Sequence, residues 1–311
     1  MRLDVVIPTY NRQASLSRSL ASLERARMPS NLAVGITVVD NNSTDETRAT
    51  VMSWKERLPQ LTYVYEKRQG RSFALNAGIA ATSGELVGFI DDDEEVDEFW
   101  FETVQQAFTN PDLAFIGGPY IPKWETEPPE WLPREYCGVI GDISAGDEIR
   151  PYDESYPGIL MGGNAVLKRA VLKEVGDYLT SVSRKGKKLL AGEDEDMYQR
   201  LLAAKAKGLY IPALRIFHHV PVERLTKSYF RRWCFWRGVS CGVLDRHRPA
   251  KVNYLLGIPR YLYGNAARGM FRAVSSVLRR GDVSRRFSDE LATWDLVGFM
   301  YGKFFYSPEE G

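Results

Sequence analysis

Four short apolar runs, separated by segments of helical periodicity, fill roughly the first ninety residues, and this alternation constrains the fold more than any other feature. Residues 3–7 form an apolar run ended by Pro8, followed by the loop Pro-Thr-Tyr-Asn-Arg. Residues 34–39, 61–65 and 86–90 repeat the pattern. Between them a helix is expected over 13–27, where Leu16, Leu20 and Leu23 recur at helical spacing, and another over 70–81. Such alternation buries both faces of a sheet, so an α/β, doubly wound fold is predicted. Ligands of such sheets bind beyond the carboxyl ends of the strands.

The fourth run carries chemistry to that edge. Residues 86–97 read LVGFIDDDEEVD, so Asp91, Asp92 and Asp93 follow directly on the strand. Adjacent carboxylates repel one another and raise each other's pKa unless a cation sits among them. Hard oxygen ligands suit Mg2+ or Mn2+, ions that arrive with a substrate phosphate. The competing reading is an acidic turn leading into a helix over 96–108. Asp40-Asn41-Asn42-Ser43-Thr44-Asp45 ends the second strand, and Ser43 or Thr44 is placed to cap the next helix. The first turn lacks G-x-G-x-x-G and the chain lacks G-x-x-x-x-G-K-[ST], which disfavours dinucleotide oxidoreductases and P-loop enzymes.

Val6-Ile7-Pro8-Thr9-Tyr10-Asn11-Arg12, the 39–45 string, residues 70–78 and Asp91-Asp92-Asp93, in this order and spacing, resemble family 2 glycosyltransferases of the GT-A fold. The resemblance implies a doubly wound mixed sheet flanked by helices, with a helical C-terminal extension. It implies a nucleotide-sugar donor, with Pro8, Thr9, Tyr10, Asn11, Arg12 and Asp40 around the base and Arg71 near the nucleotide. Asp91 and Asp92 then fall to the ribose, and Asp93 to a divalent metal, Mn2+ or Mg2+, on the diphosphate. Position 75 is Leu where the family commonly has Arg, so no phosphate contact comes from there. The chemistry is consistent with a uracil base: Asp40 can accept from its N–H and Tyr10 can stack on its face. The competing readings are a strand-end aromatic for Tyr10 and an Asx turn for Asp40.

Residues 119–157 lose periodicity and become rich in Pro and Trp, as expected of a long functional or disordered loop. Trp124 and Trp131 either offer a flat platform to an acceptor sugar or pin the loop to a core. By resemblance Gly162, Gly163 and Asn164 line the acceptor side, although the glycines also suit a tight bend. Arg184, Lys185, Lys187 and Lys188 form either a basic lid or a solvated loop. Glu193 and Asp194 open a helix, where acids are favoured by the dipole alone. The family's Glu-Asp pair falls here, and its Asp is the general base, so the resemblance gives that role to Asp194. Direct displacement with one such base inverts the anomeric centre. The string from His218 to Arg224 resembles the family's His-x-Val-Pro-x-x-Arg and makes His218 a candidate metal ligand or, protonated, a partner of the diphosphate, with His219 as fallback; the competing reading is a structural histidine.

Charge divides the chain. Residues 1–225 carry 26 Lys+Arg against 33 Asp+Glu, and residues 226–311 carry 15 against 7. A catalytic domain is therefore expected over 1–225, with a nucleotide half at 1–118 and an acceptor half at 119–225, and a basic, aromatic-rich helical region over 226–311. In that region Arg268, Arg272 and Arg279 share a helical face opposite Met270, Val274 and Val277. The stripe either lies on an anionic bilayer or packs on the core. The chain start lacks a charged leader with an apolar core, no run of ~18 apolar residues occurs, and Cys137, Cys234 and Cys241 lack metal or redox spacing. The expected protein is cytoplasmic, at the inner face of the cell membrane if it docks there. Its partners are a nucleotide sugar, probed first as a UDP sugar, and a saccharide or lipid-linked acceptor, with no nucleic acid. The rival from another class is a GT-A scaffold without catalysis, serving as a membrane-surface binding protein.

Overall fold

Strand and helix alternate from the start of the chain: β1 (Arg2–Thr9), α1 (Gln13–Arg25), β2 (Ala33–Asp40), α2 (Thr47–Trp54), β3 (Leu61–Tyr65), α3 (Arg71–Ala81) and β4 (Leu86–Phe89). The computed structural model describes residues 1–186, 188–278 and 282–307. After β4 come β5 (Glu94–Val96), α4 (Trp100–Ala107), β6 (Phe115–Gly117), β7 (Tyr120–Trp124), β8 (Arg150–Pro151), β9 (Ala165–Lys168), α5 (Arg169–Val175), α6 (Glu193–Ala203), β10 (Gly208–Tyr210) and β11 (Ile216–Val220). Eight strands form one sheet in the order β3-β2-β1-β4-β9-β6-β10-β8. The first four are mutually parallel, whereas β9 enters antiparallel between β4 and β6, so the sheet is mixed.

Alternation along β1 explains its burial on both sides. Leu3, Val5 and Ile7 join Leu16, Leu20 and Leu23 of α1 and Trp100 of α4, while Val6 meets Leu75, Phe89 and Met197 in a second cluster. Register then fixes the ligand edge. Thr9 is paired with Asp40 and Val6 with Phe89, and the Ile90 amide donates to the Val6 carbonyl at 3.2 Å. The loops after β1, β2 and β4 therefore open together at one edge of the sheet.

Three local expectations are corrected. Residues 94–96, the first two of them part of the acid run, form a strand because β11 pairs with them, Ile216 opposite Val96 and His218 opposite Glu94. The helix begins only at Trp100, after the Asp97 carboxylate has accepted from the Phe99 amide at 3.0 Å. The residue 119–157 segment is not all loop, since it contains β7, a 3-10 turn over Arg134–Ile140, and β8. Neither Ser43 nor Thr44 caps α2. Asp45 accepts from the Thr47 amide at 3.1 Å instead, and Ser43 and Thr44 bond to Asn11.

The chain divides into two compact units. One comprises residues 1–123, 142–180 and 193–219, and the other residues 124–141, 181–192 and 220–311. The second therefore takes two earlier segments that a shift in composition after residue 225 does not reveal. It contains α7 (Lys227–His247), the hairpin β12 (Tyr254–Leu255) and β13 (Ile258–Pro259), α8 (Arg260–Leu278) and α9 (Val283–Phe304). Its apolar centre joins Phe230, Cys234, Phe287 and Leu291, with the Trp131 ring edge-on to Phe230 and Phe287. Four glycines let α7 and α9 approach backbone to backbone. A Cβ on Gly238 or Gly242 would strike α9, and one on Gly298 or Gly302 would strike α7. Small residues four apart on both helices are the usual means of such close approach. No helix among the described residues is long and apolar enough to cross a membrane.

Candidate active site

The ligand edge of the first unit holds two groups of acids; Arg12 is paired within one of them and Arg71 bridges both. On the β4 side, Thr9 Oγ1 donates to Asp92 Oδ2 at 2.8 Å, and Arg12 Nη1 donates to Asp92 Oδ1 at 2.8 Å and Asp93 Oδ2 at 3.1 Å. Burial, partly offset by Arg12 and reinforced by Asp93, pushes the Asp92 carboxyl up to about 6. Arg12 is in turn held firmly protonated by Asp92. Arg71, at the start of α3, reaches further. Its Nη2 lies 2.9 Å from Asp91 Oδ1, and its Nη1 lies 3.3 Å from Glu193 Oε1 and 3.2 Å from Asp194 Oδ1. Burial works against its charge, but Asp91, Asp194 and Glu193 outweigh it and hold the guanidinium pKa well above its ordinary value.

Asn41 sets where Arg71 begins. Its Oδ1 accepts from the Gly70 amide at 2.7 Å and its Nδ2 donates to the Arg68 carbonyl at 2.7 Å, fixing the turn before α3, in which Gly70 has φ 145°. Asp40 is buried, accepting from the Ser43 amide at 2.8 Å and from Tyr63 Oη at 2.7 Å. The local turn expected as the competing reading is thus present, and each carboxylate oxygen retains a further lone pair. Asn11, at φ 52°, accepts from the Thr44 amide at 2.7 Å and ties the loops after β1 and β2 together, while Pro8 lies within β1 opposite Val39 and Tyr10 is half-buried.

His218 lies on β11 opposite Glu94, with its Nε2 3.7 Å from Asp93 Oδ2. His219 pairs with Glu95. Among the described residues no three His, Cys, Asp or Glu side chains are grouped to hold a metal by themselves. The Asp93 carboxylate could share with substrate phosphate an ion such as Mg2+ or Mn2+, with the His218 imidazole beside it as a nitrogen donor.

Gly162 and Gly163 have a specific spatial reason. A Cβ at 162 would collide with Asp194 Oδ1, and one at 163 would lie 2.5 Å from Glu94 Oε1. Asn164 differs from its expected place on an acceptor face. It is 1 % exposed, and its amide is spent inside, accepting from Trp100 Nε1 at 3.0 Å and donating to the Leu214 and Pro119 carbonyls at 2.7 and 3.2 Å. Trp124 is half-buried and packs beside the apolar cluster of the second unit. Arg184, Lys185 and Lys188 also belong to that unit, where the Lys188 ammonium sits 5.2 Å from the Tyr306 ring, and Lys187 lies outside the described residues.

Sequence reasoning missed Glu94. It is 1 % exposed, and its Oε2 accepts from the Asp91 amide at 2.7 Å. Burial, then Asp91 and Asp93, push its carboxyl well above the usual range. In an unbroken Asp-Asp-Asp-Glu-Glu string nothing local marks which acid turns inward. Its signal was the pairing of β5 with β11.

A mixed sheet with a ligand edge built from three loops and an acid cluster on a strand end defines a GT-A type nucleotide-sugar fold. A mannosyltransferase from Pyrobaculum calidifontis, solved with GDP-mannose and Mn2+, superimposes with a TM-score of 0.66 at 19 % identity over 98 % of this chain and 88 % of that one. The chain belongs to glycosyl transferase family 2, whose family model matches residues 4–176. It is 27 % identical over 252 residues to a glucosyl-dolichyl phosphate glucuronosyltransferase of Haloferax volcanii, covering 79 % of this chain and 78 % of that protein. It is 24 % identical over 246 residues to the succinoglycan biosynthesis protein ExoM of Rhizobium meliloti, covering 78 % and 75 %.

Proposed function

We propose that the protein is an inverting, metal-dependent glycosyltransferase that moves a sugar from a nucleotide-diphosphate donor, a UDP sugar, to a hydroxyl of a saccharide or lipid-linked saccharide. The observation that carries this reading is the Arg71 guanidinium, which joins Asp91 of the donor-side acids to Glu193 and to Asp194, a residue 123 positions from Arg71 in sequence. Lipid-linked acceptors fit the glucosyl-dolichyl phosphate named for the Haloferax relative, and with such an acceptor the enzyme would work at the inner face of a membrane.

In this mechanism the loop from Pro8 to Arg12 and the Asp40 carboxylate hold the base, with Tyr10 available to stack on it. Asp91 and Asp92 accept from ribose hydroxyls. Asp93 and His218 would hold Mn2+ or Mg2+, which when bound supplies positive charge to the diphosphate. Asp194 takes the proton of the acceptor hydroxyl as its oxygen bonds to the anomeric carbon. The carbon–phosphate oxygen bond breaks on the opposite face, and its electron pair leaves with the nucleoside diphosphate, which inverts the centre. Glu193 shares the Arg71 contact and steadies the start of α6. Gly162 and Gly163 leave space against Asp194 and Glu94, and the acceptor side is assigned to their backbone rather than to the Asn164 amide.

The test is a thermal-shift screen of UDP and GDP sugars with and without Mn2+, followed by transfer assays on Asp194→Asn. A donor that binds the native state raises its melting temperature. The expected result is a Mn2+-dependent shift with a UDP sugar, lost in Asp93→Ala, and no transfer by Asp194→Asn despite an unchanged shift. Retained turnover in Asp194→Asn removes it as the base, and a shift indifferent to Mn2+ removes the metal.

A further inference from the structure

We propose that an exposed apolar face of the second unit, running from the β12–β13 turn along α8 and onto the end of α9, docks on an anionic lipid bilayer. An amphipathic helix in a protein fold ordinarily turns its apolar stripe inward. On α8 the reverse holds. Met270, Phe271 and Val274 are 45, 75 and 55 % exposed, while Ala266 and Gly269 are the buried positions. Gly269 packs against the Asp289 carbonyl of α9, which identifies the inner side. Arg268 and Arg272 are exposed along one side of the outward stripe, Arg272 with its Nη1 3.8 Å from Asp289 Oδ1; Arg279 and the Val277 side chain lie outside the described residues.

The hairpin before α8 carries a second, independent sign. Leu255 pairs with Ile258, so Leu256 and Gly257 alone make the turn, with φ of 49° and 76°. Two left-handed central residues call for Asn-Gly, because a bulky side chain fits that conformation poorly. Here the first is a leucine, 82 % exposed. The end of α9 extends the same surface: the Phe304 ring lies within 3.3 Å of where a Cβ on Gly257 would stand, and Phe305 is 75 % exposed.

Charge selects the occupant. Residues 246–281 carry eight Lys+Arg and no Asp or Glu. A second copy meeting this face about a two-fold axis would set the basic strip against itself, which like-charge repulsion opposes. An anionic lipid surface meets both features, since basic side chains settle at headgroups while Leu and Phe enter the acyl boundary.

The proposal rests on the reading above only in that the enzyme works at a membrane, and vesicles without donor or acceptor test it apart from transfer. The full chain is floated with vesicles of phosphatidylcholine, alone or with about 30 % phosphatidylglycerol, at low and high salt. Retention is expected on the anionic vesicles and should weaken with salt. Leu256→Asn suits the turn and Phe271→Gln the helix surface. The double variant should keep its melting temperature and its nucleotide-induced shift while the retained fraction falls about tenfold or more. No retention of the native chain, equal retention of the double variant, or a solution dimer that the double variant dissolves would each overturn the proposal.

Discussion

Arg71 and Asp194 form an ion pair, Nη1 to Oδ1 3.2 Å, and the far side of the same guanidinium rests on Asp91. One half-buried cation thus spans both acid groups. A charge so placed orients the carboxylates it touches through charge-assisted hydrogen bonds. Arg71→Lys keeps the charge but loses the fork geometry. It is expected to lower kcat on the order of 10²-fold, with the nucleotide dissociation constant changed less than about threefold. Steady-state kinetics with calorimetric titration of the nucleotide decide the matter. A weakened dissociation constant with kcat intact would place Arg71 on the nucleotide, as the sequence resemblance implies.

Gly162→Ala probes the same carboxylate from the other side. The added Cβ occupies the place of Asp194 Oδ1, so either the side chain turns or the backbone moves. Transfer should fall about 10²-fold, the scale expected when a reacting group is misplaced by about 1 Å. Nucleotide-induced stabilisation should persist. Gly158→Ala, whose nearest neighbour would stand at 3.5 Å, is the control and should retain full rate.

The pH dependence of stability follows from Asp92. Its folded pKa of about 6 lies above the ordinary carboxylate value, so in the window between them the native state holds a proton that the unfolded chain has lost. This contribution is fully present below the unfolded pKa and is lost as pH rises through about 6. Glu94, raised in the same direction by its burial, adds to the effect. The lowered carboxyls of Asp45 and Glu66 act oppositely, but only at more acid pH. In metal-free buffer the melting temperature should rise from pH 7 to pH 5, and Asp92→Asn should flatten that slope. A slope unchanged in Asp92→Asn would exclude this origin.

The α7–α9 seam gives a stability prediction. A Cβ at 298 would meet the Phe235 carbonyl, a backbone atom that cannot rotate away. Gly298→Ala should destabilise the second unit by about 3 kcal/mol, the upper range for overpacking. Limited proteolysis should then cut within 226–307 earlier than in the native chain. An unchanged cleavage pattern would mean the helices can separate at little cost.

The sequence by itself determined what depends on neighbours in the chain. The strand–helix alternation of the first ninety residues, the acids at the end of β4 and the acids opening α6 are local patterns of period, turn and cap, and they lie where the sequence places them. What depended on distant partners was not legible. Residues 94–96 became a strand only because β11 lies beside them, and that pairing drew Glu94 inside while leaving Asp91 to meet Arg71. Asn164 stood in a glycine-rich string that suggested a ligand, yet its amide was claimed by carbonyls 45 and 50 residues away. The stripe on α8 was plain in the sequence, but periodicity gives an apolar face without its direction. Only the tertiary structure decided these points, because the free energy of a buried carboxylate, amide or apolar face is set by groups that folding, not sequence proximity, brings next to it.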